Sequence, residues 1–181
     1  FALLQGFTEF IPVSSQGHLI IFNNFFNINI MSNITVLEAN VIAHAGSLFA
    51  VSLYYSREIF SLFISLRHLV RPDIDKNSTL VIQLIIATFP ILLCGFFFSK
   101  YFNYDDKSLL LIIGITSISF GIILFFFDRF CLTVKGSQEM NFLTSLFVGI
   151  FQCLALIPGV SRSGSIIIFL RFSGYNRNFA V

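Results

Sequence analysis

Residues 109 to 127 read LLLIIGITSISFGIILFFF, a run without a single charge. Coiled as a helix, a run of this length matches the hydrocarbon core of a bilayer, about 30 Å thick. Residues 80 to 98, LVIQLIIATFPILLCGFFF, match it in length and carry Pro90, a kink that membrane helices tolerate. Residues 36 to 55 and 142 to 157 are two further candidate spans, the second a little short. Only 11% of the chain is charged and 56% is hydrophobic. A soluble domain carries about 25% charged residues, so this chain has too few to cover a surface facing water. The expected fold is an all-α polytopic membrane protein, a single integral membrane domain over residues 1–181.

The net charge of +2 gives no basis for a nucleic-acid partner; its distribution is more informative. Arg57, Arg67, Arg71 and Lys76 crowd the loop from 56 to 79, which the positive-inside rule assigns to the cytoplasm. The span at 80–98 then leads out, 99–107 is external, and 109–127 leads back to a loop with Arg129 and Lys135. Residue 36 therefore starts on the outer side. In the external loop Lys100 and Lys107 are offset by Asp105 and Asp106. That pair, like Asp73 and Asp75, reads as solvated loop charge. Cys94, Cys131 and Cys153 show no pairing spacing and read as small buried hydrophobes. No removable signal peptide and no soluble domain are visible. The start at Phe1 and the end at Val181, just after a short apolar run, lead us to expect a fragment of a longer chain.

The chain repeats itself. Laying residue 5 on residue 152 without gaps pairs Gln5 with Gln152, Ser14 with Ser161 and Gly17 with Gly164. The same alignment pairs Ile20, Ile21 and Phe22 with Ile167, Ile168 and Phe169. Each segment has an apolar lead-in, a break rich in Pro, Ser and Gly, and an apolar return. In the first, residues 1–11 and 19–31 flank the break, and each arm is too short to cross a bilayer. A non-helical break at membrane depth survives only where protein or a wet cavity surrounds it. We therefore expect two re-entrant broken-helix hairpins, the first entering from outside and the second from inside. They form an inverted repeat with halves at about 1–98 and 109–181.

The breaks hold the reactive residues. Gln5 and Glu9 share a helix face by their spacing, and Pro12-Val13-Ser14-Ser15-Gln16-Gly17-His18 follows. An ionisable group inside a membrane segment is expensive and marks function by default. The plain alternatives are an assembly ion pair for Glu9 and a hydrogen-bonded core position for His18. The second break, PGVSRSGS at 158–165, sets Arg162 between Ser161 and Ser163, with Gly164 following. A guanidinium fork, glycines that let backbone approach and helix-start N–H groups make an oxyanion or phosphate cradle. Its plain alternative is an arginine snorkelling to the interface.

QGFTEFIPVSSQGH and FQCLALIPGVSRSG closely resemble the two signature segments of the bacterial undecaprenyl-diphosphate phosphatases, the bacitracin-resistance family. LEANVIAHAGSLFAV, residues 37 to 51, is similar to a third conserved region, and the resemblance covers essentially the whole chain. It implies a multi-pass hydrolase of the bacterial cytoplasmic (inner) membrane. The reaction removes the terminal phosphate of undecaprenyl diphosphate and recycles the carrier for peptidoglycan and other envelope polymers. The resemblance also implies a homodimer, further membrane segments beyond residue 181, and an active site opening to the outer face. It places the acidic motif on Gln5 and Glu9, the conserved Ser and His on Ser15 and His18, and the phosphate-binding Arg on Arg162. Gln5 replaces the first carboxylate of the acidic pair, so Glu9 acts without a second one; Gln16 stands where a small Thr is common.

The expected mechanism is attack by Ser15 on the terminal phosphorus, with Glu9 as general base. A carboxylate withdrawn from water is a better proton acceptor. Arg162, Ser161, Ser163, Gly164, Ser14, Gln5 and nearby N–H groups would bind the phosphoryl oxygens. His18 would protonate the leaving phosphate or orient Ser15, and its rival role is that of nucleophile. Glu38, His44 and Gln152 are expected to support the site from behind. A divalent cation, Mg²⁺ or Ca²⁺, bridging the diphosphate would take Glu9 as its ligand, although no dedicated metal cage is visible. The rival function is a polyprenyl-phosphate transporter or flippase, which uses the same broken helices and cradle. Glu9, Ser15 and His18 beside the arginine discriminate, because transport needs no base and no nucleophile.

Overall fold

The computed structural model describes residues 2–26, 36–69, 76–101, 106–135 and 140–181. Arg71, Asp73, Asp75 and Asp105 lie outside them, as do residues 27 to 31 of the expected first return arm. Every regular element among the described residues is helical: α1 (Ala2–Glu9), α2 (Ser15–Phe26), α3 (Val36–Tyr54), α4 (Ser56–Ser65), α5 (Lys76–Tyr101), α6 (Asp106–Phe130), α7 (Phe142–Gln152), α8 (Arg162–Phe172) and α9 (Arg177–Ala180).

Within α5 and α6, Asn77–Lys100 and Ser108–Phe130 are long and apolar enough to cross a bilayer, and most of their surface is turned outward. Phe89, Phe96, Leu111 and Ile118 are each more than 60% exposed. Faces of that composition need an apolar solvent, and this is a membrane protein. Pro90 lies inside α5 without ending it.

α7 packs against α5 more intimately than any other helix pair here. A Cβ at position 149 would lie 2.6 Å from the Ala87 carbonyl oxygen and 2.9 Å from Pro90 Cγ. Glycine is what lets the two backbones approach. Ala87 and Val148 then join Ile167, Phe169, Leu170, Tyr175 and Ala180 in the apolar core. Gln152 Nε2 donates to Ala87 O at 3.4 Å, beside the proline.

The two sequence breaks are also breaks in the helices. α1 ends at Glu9 and α2 starts at Ser15, while α7 passes through a 3₁₀ turn, Cys153–Leu156, before α8 starts at Arg162. Neither α1 nor α2, with 8 and 12 residues, reaches across about 30 Å of hydrocarbon at 1.5 Å per residue. Both returns start with one device. Ser14 Oγ accepts from Gly17 N at 3.2 Å, and Ser161 Oγ accepts from Gly164 N at 3.2 Å. These are N-caps on the third helical residue, and the serines and glycines are those that the internal alignment pairs.

The breaks lean on α6 and on each other. Thr116 Oγ1 donates to Pro158 O at 2.6 Å and Ser117 Oγ to Gly159 O at 3.2 Å. Gly159 has φ +92°, and a Cβ there would meet Thr116 Oγ1 at 2.1 Å. A Cβ at Gly164 would be 3.4 Å from Pro12 O in the first break.

At the far end of α8, Arg171 is only 6% exposed. It donates to Tyr175 O (2.8 Å), Cys131 O (2.8 Å), Asp128 O (3.1 Å) and Thr133 Oγ1 (3.1 Å). Its Nε lies 3.7 Å from Asp128 Oδ1, and Arg177 Nε lies 3.3 Å from Oδ2. The three cysteines are free and half-buried rather than fully enclosed. Cys153 Sγ donates to Gly149 O at 3.4 Å.

Candidate active site

The break after α1 turns within five residues because Pro12 cannot continue a helix and Ser14 offers a cap to the next one. Val13 N closes a tight turn on Ile11 O at 2.6 Å. That turn brings Ser15, the first residue of α2, back over the last residue of α1. Ser15 Oγ donates to Glu9 Oε2 at 2.8 Å. The same oxygen accepts from Gln5 Nε2 at 2.8 Å, the contact that four-residue spacing on α1 makes possible. Gln5 Nε2 also lies 2.7 Å from His44 Nδ1 on α3, and His44 Nδ1 is 3.5 Å from Glu9 Oε2. Gln5 itself is 1% exposed. It stands behind the other three and holds α1 to α3.

Glu9, Ser14, Ser15, Gln16 and His44 line one cavity of about 560 Å³ together with Ser161, Arg162 and Ser163. Residues over 140 positions apart thus meet in one space. Ser14, Ser15 and Gln16 are the N-cap and first two residues of α2; Ser161, Arg162 and Ser163 hold the same three places on α8. Each helix start carries unpaired N–H groups and about half a positive charge, so the cavity receives two anion-favouring ends. Arg162 and Ser163 are exposed within it, and among the described residues no acceptor takes the Arg162 guanidinium. Ser161 Oγ lies 3.1 Å from Ser163 Oγ. The arrangement sets a hydroxyl hydrogen-bonded to a carboxylate and an exposed guanidinium on the walls of one cavity.

Glu9 is not withdrawn from this cavity: its side chain stays 38% exposed. Burial therefore does not set Glu9 apart; its contact with Ser15 does. His18 is not brought to the cluster. Its Nδ1 lies 2.7 Å from Ser14 O, where only the ring can donate. It lines a second cavity of about 230 Å³ with Ser117, Gly159 and Gly164, and Ser14 and Ser161 border both spaces. Gln152 is spent on α5, and Glu38, in the first turn of α3, does not line the larger cavity.

Over residues 1–181 the chain matches the family model described as bacitracin resistance protein BacA. The chain belongs to the BacA family. Among curated relatives, the undecaprenyl-diphosphatase of Jannaschia sp. (strain CCS1) is 37% identical over 180 residues, covering 99% of this chain and 66% of the relative. That of Aliivibrio salmonicida (strain LFI1238) is 36% identical with the same coverage. That of Pelagibacter ubique (strain HTCC1062) is 37% identical over 178 residues, 97% of this chain and 63% of the relative. The chain thus spans slightly less than two thirds of the length of these BacA relatives.

Sequence reasoning passed over the α6 hydroxyls and Arg171. Thr116, Ser117 and Ser119 interrupt an apolar span, which is a usable signal for a polar contact at membrane depth. Arg171 sits nine residues beyond Arg162 in the sequence, and nothing local distinguishes a clamp from a snorkelling cation. As for a metal, the described residues contain no cluster of three His, Cys, Asp or Glu. Glu9 is the cavity's lone carboxylate among its lining residues, and its Oε1 has no hydrogen-bond partner among the described residues. Gln5 Oε1 is buried without one. A single carboxylate among hydroxyls fits a hard cation that takes most of its oxygen ligands from elsewhere, and does not fit a protein cage.

Proposed function

We propose that the whole protein hydrolyses undecaprenyl diphosphate to undecaprenyl phosphate and inorganic phosphate, which recycles the lipid carrier and confers bacitracin resistance. The observation that carries this reading is the 2.8 Å contact of Ser15 Oγ with Glu9 Oε2 in the cavity that Arg162 also lines. The names of the relatives supply the substrate. Ser15 Oγ attacks the terminal phosphorus and passes its proton to Glu9 Oε2. The bond from that phosphorus to the bridging oxygen breaks, and undecaprenyl phosphate departs. Water then releases phosphate from the serine. Arg162 and the two helix starts hold the phosphoryl oxygens as charge redistributes. His18, through Ser14 O, holds the residue before the nucleophile and so orients Ser15. A Mg²⁺ or Ca²⁺ held through Glu9 and the substrate would neutralise diphosphate charge.

The finer architecture belongs to the same proposal. Arms too short to cross, and matching serine caps on both returns, support two re-entrant hairpins in an inverted repeat. The expected loop at 56–79 holds helix α4, yet its basic residues Arg57 on α4 and Arg67 just beyond it, with Arg129 in the last turn of α6 and Lys135 after it, support a cytoplasmic side there. The site then opens outward from a bacterial inner membrane, in a protein that works as a homodimer. A transporter reading leaves the Ser15–Glu9 contact without a use.

The test is phosphate release from undecaprenyl diphosphate by the purified full-length protein in detergent, with Glu9→Ala and Arg162→Ala alongside. Both substitutions are expected to abolish release. Intact release in either would break the proposed site, and no release by the wild type would refute the hydrolase. Chelation by EDTA is expected to lower turnover at least tenfold, with Mg²⁺ or Ca²⁺ restoring it; full activity in EDTA would remove the ion from the reaction.

A further inference from the structure

The Gln5 amide has two N–H bonds and two acceptors in reach. Nε2 is 2.8 Å from Glu9 Oε2 and 2.7 Å from His44 Nδ1. Turning the amide over would set its carbonyl oxygen 2.8 Å from a carboxylate oxygen, with no proton between them while Glu9 is a carboxylate. The amide nitrogen therefore faces Glu9, and by the same placement it faces His44. A donor at 2.7 Å requires Nδ1 to be an acceptor. The ring proton of a neutral imidazole then sits on Nε2. Nδ1–H would instead oppose a second donor at hydrogen-bond distance. Gln5 is buried, whereas the His44 side chain is 39% exposed and lines the cavity. Among the described residues nothing accepts from His44 Nε2.

We propose that Gln5 fixes His44 as the Nε2–H tautomer, making His44 a hydrogen-bond donor to phosphate oxygens in this cavity. Gln5 is the positioning residue and His44 the ligand-touching one. The proposal rests on the phosphate reading of the site, and deepens it: the cavity binds the diphosphate with a neutral N–H donor on α3 as well as the Arg162 cation on α8. It also gives His44 no proton to transfer. A neutral imidazole that lost Nε2–H would become an anion, so His44 binds and orients while Glu9 handles the Ser15 proton. The charged and titratable groups facing His44 are Glu9 from α1, at 3.5 Å, and Arg162, which lines the same cavity.

The experiment uses the full-length protein in detergent, labelled with ¹⁵N-histidine, with His44 assigned by its absence from a His44→Gln sample. The expected spectrum has an acceptor-type Nδ1 and a protonated Nε2, and inorganic diphosphate shifts Nε2. In Gln5→Glu, whose side chain offers acceptors where the amide offered donors, the proton is expected to move to Nδ1. Phosphate release supplies the second readout. His44→Ala is expected to lower kcat/KM about ten- to a hundredfold, the loss of one hydrogen bond to a charged group. His44→Gln keeps an N–H donor and is expected to stay within a few-fold of wild type. A protonated Nδ1 in the wild type, an Nε2 unmoved by diphosphate, or a His44→Gln variant as weak as His44→Ala would each overturn the proposal. The spectrum and the diphosphate titration do not require turnover. If the wild type released no phosphate, the hydrolase reading would fall while these two measurements still decided the role of His44.

Discussion

Ser15 is chemically ordinary until its neighbours are counted. Its hydroxyl has one proton, and that proton points at Glu9 Oε2. Ser15→Ala is expected to abolish turnover while largely sparing lipid binding, because the cradle of Arg162 and the helix starts remains. Equilibrium binding of undecaprenyl diphosphate alongside phosphate release checks this, and lost binding would argue against the nucleophile. Glu9→Gln keeps shape and hydrogen bonding but accepts no proton. A fall in kcat of about 10²- to 10⁴-fold is the signature of a general base. Arg162→Lys retains the charge and loses the planar fork. A reduction in kcat/KM of at least tenfold is expected, and a wild-type value would show that a point charge suffices.

At the scale of elements, the second break exists because one residue there has no side chain. Gly159 combines φ +92° with a site where a Cβ would lie 2.8 Å from Ile113 O. Alanine there adds backbone strain of about 1–3 kcal/mol and pushes the break off α6, taking Arg162 with it. Gly159→Ala is therefore expected to lower both thermal stability and phosphate release; a variant with wild-type melting and activity would show that the break can relax. Thr116→Val removes only the hydroxyl that holds Pro158 O, and a smaller loss of about 1 kcal/mol is expected. Gly149 acts differently, since its φ is unremarkable and the constraint is the approach of α5. Any larger residue separates the helices that carry the core.

For the whole molecule, Arg171 ties the end of α6 to α8 and to the chain beyond it. Replacing it with Ala would leave the carbonyls of Asp128, Cys131 and Tyr175 short of a donor, and Asp128 with the exposed Arg177 alone. Leaving a buried carbonyl without its donor costs about 1–3 kcal/mol. Arg171→Ala is expected to melt well below wild type in detergent, with its Glu9–Ser15 site chemically intact. A melting temperature unchanged within error would make the cluster ornamental.

Which of these features were legible before any folding can be stated residue by residue. Charge-free runs at 80–98 and 109–127 determined the membrane class, because a polar backbone in hydrocarbon must be helical. Spacing alone placed Gln5 over Glu9, and the Ser14/Ser161 and Gly17/Gly164 correspondences marked two like-built breaks, since a cap is a local interaction over three residues. The tertiary structure decided what no local rule reaches. It set His44 on Gln5, and sent Gln152, the repeat counterpart of Gln5, to a carbonyl on α5. It also turned His18 toward a smaller cavity and made Arg171 a clamp. Each outcome depends on which helix lies alongside: α3 for Gln5, α5 for Gln152, and α6 for His18 and Arg171. Side-chain chemistry is written in the sequence, but the partner that completes it is chosen by packing between residues far apart in the chain.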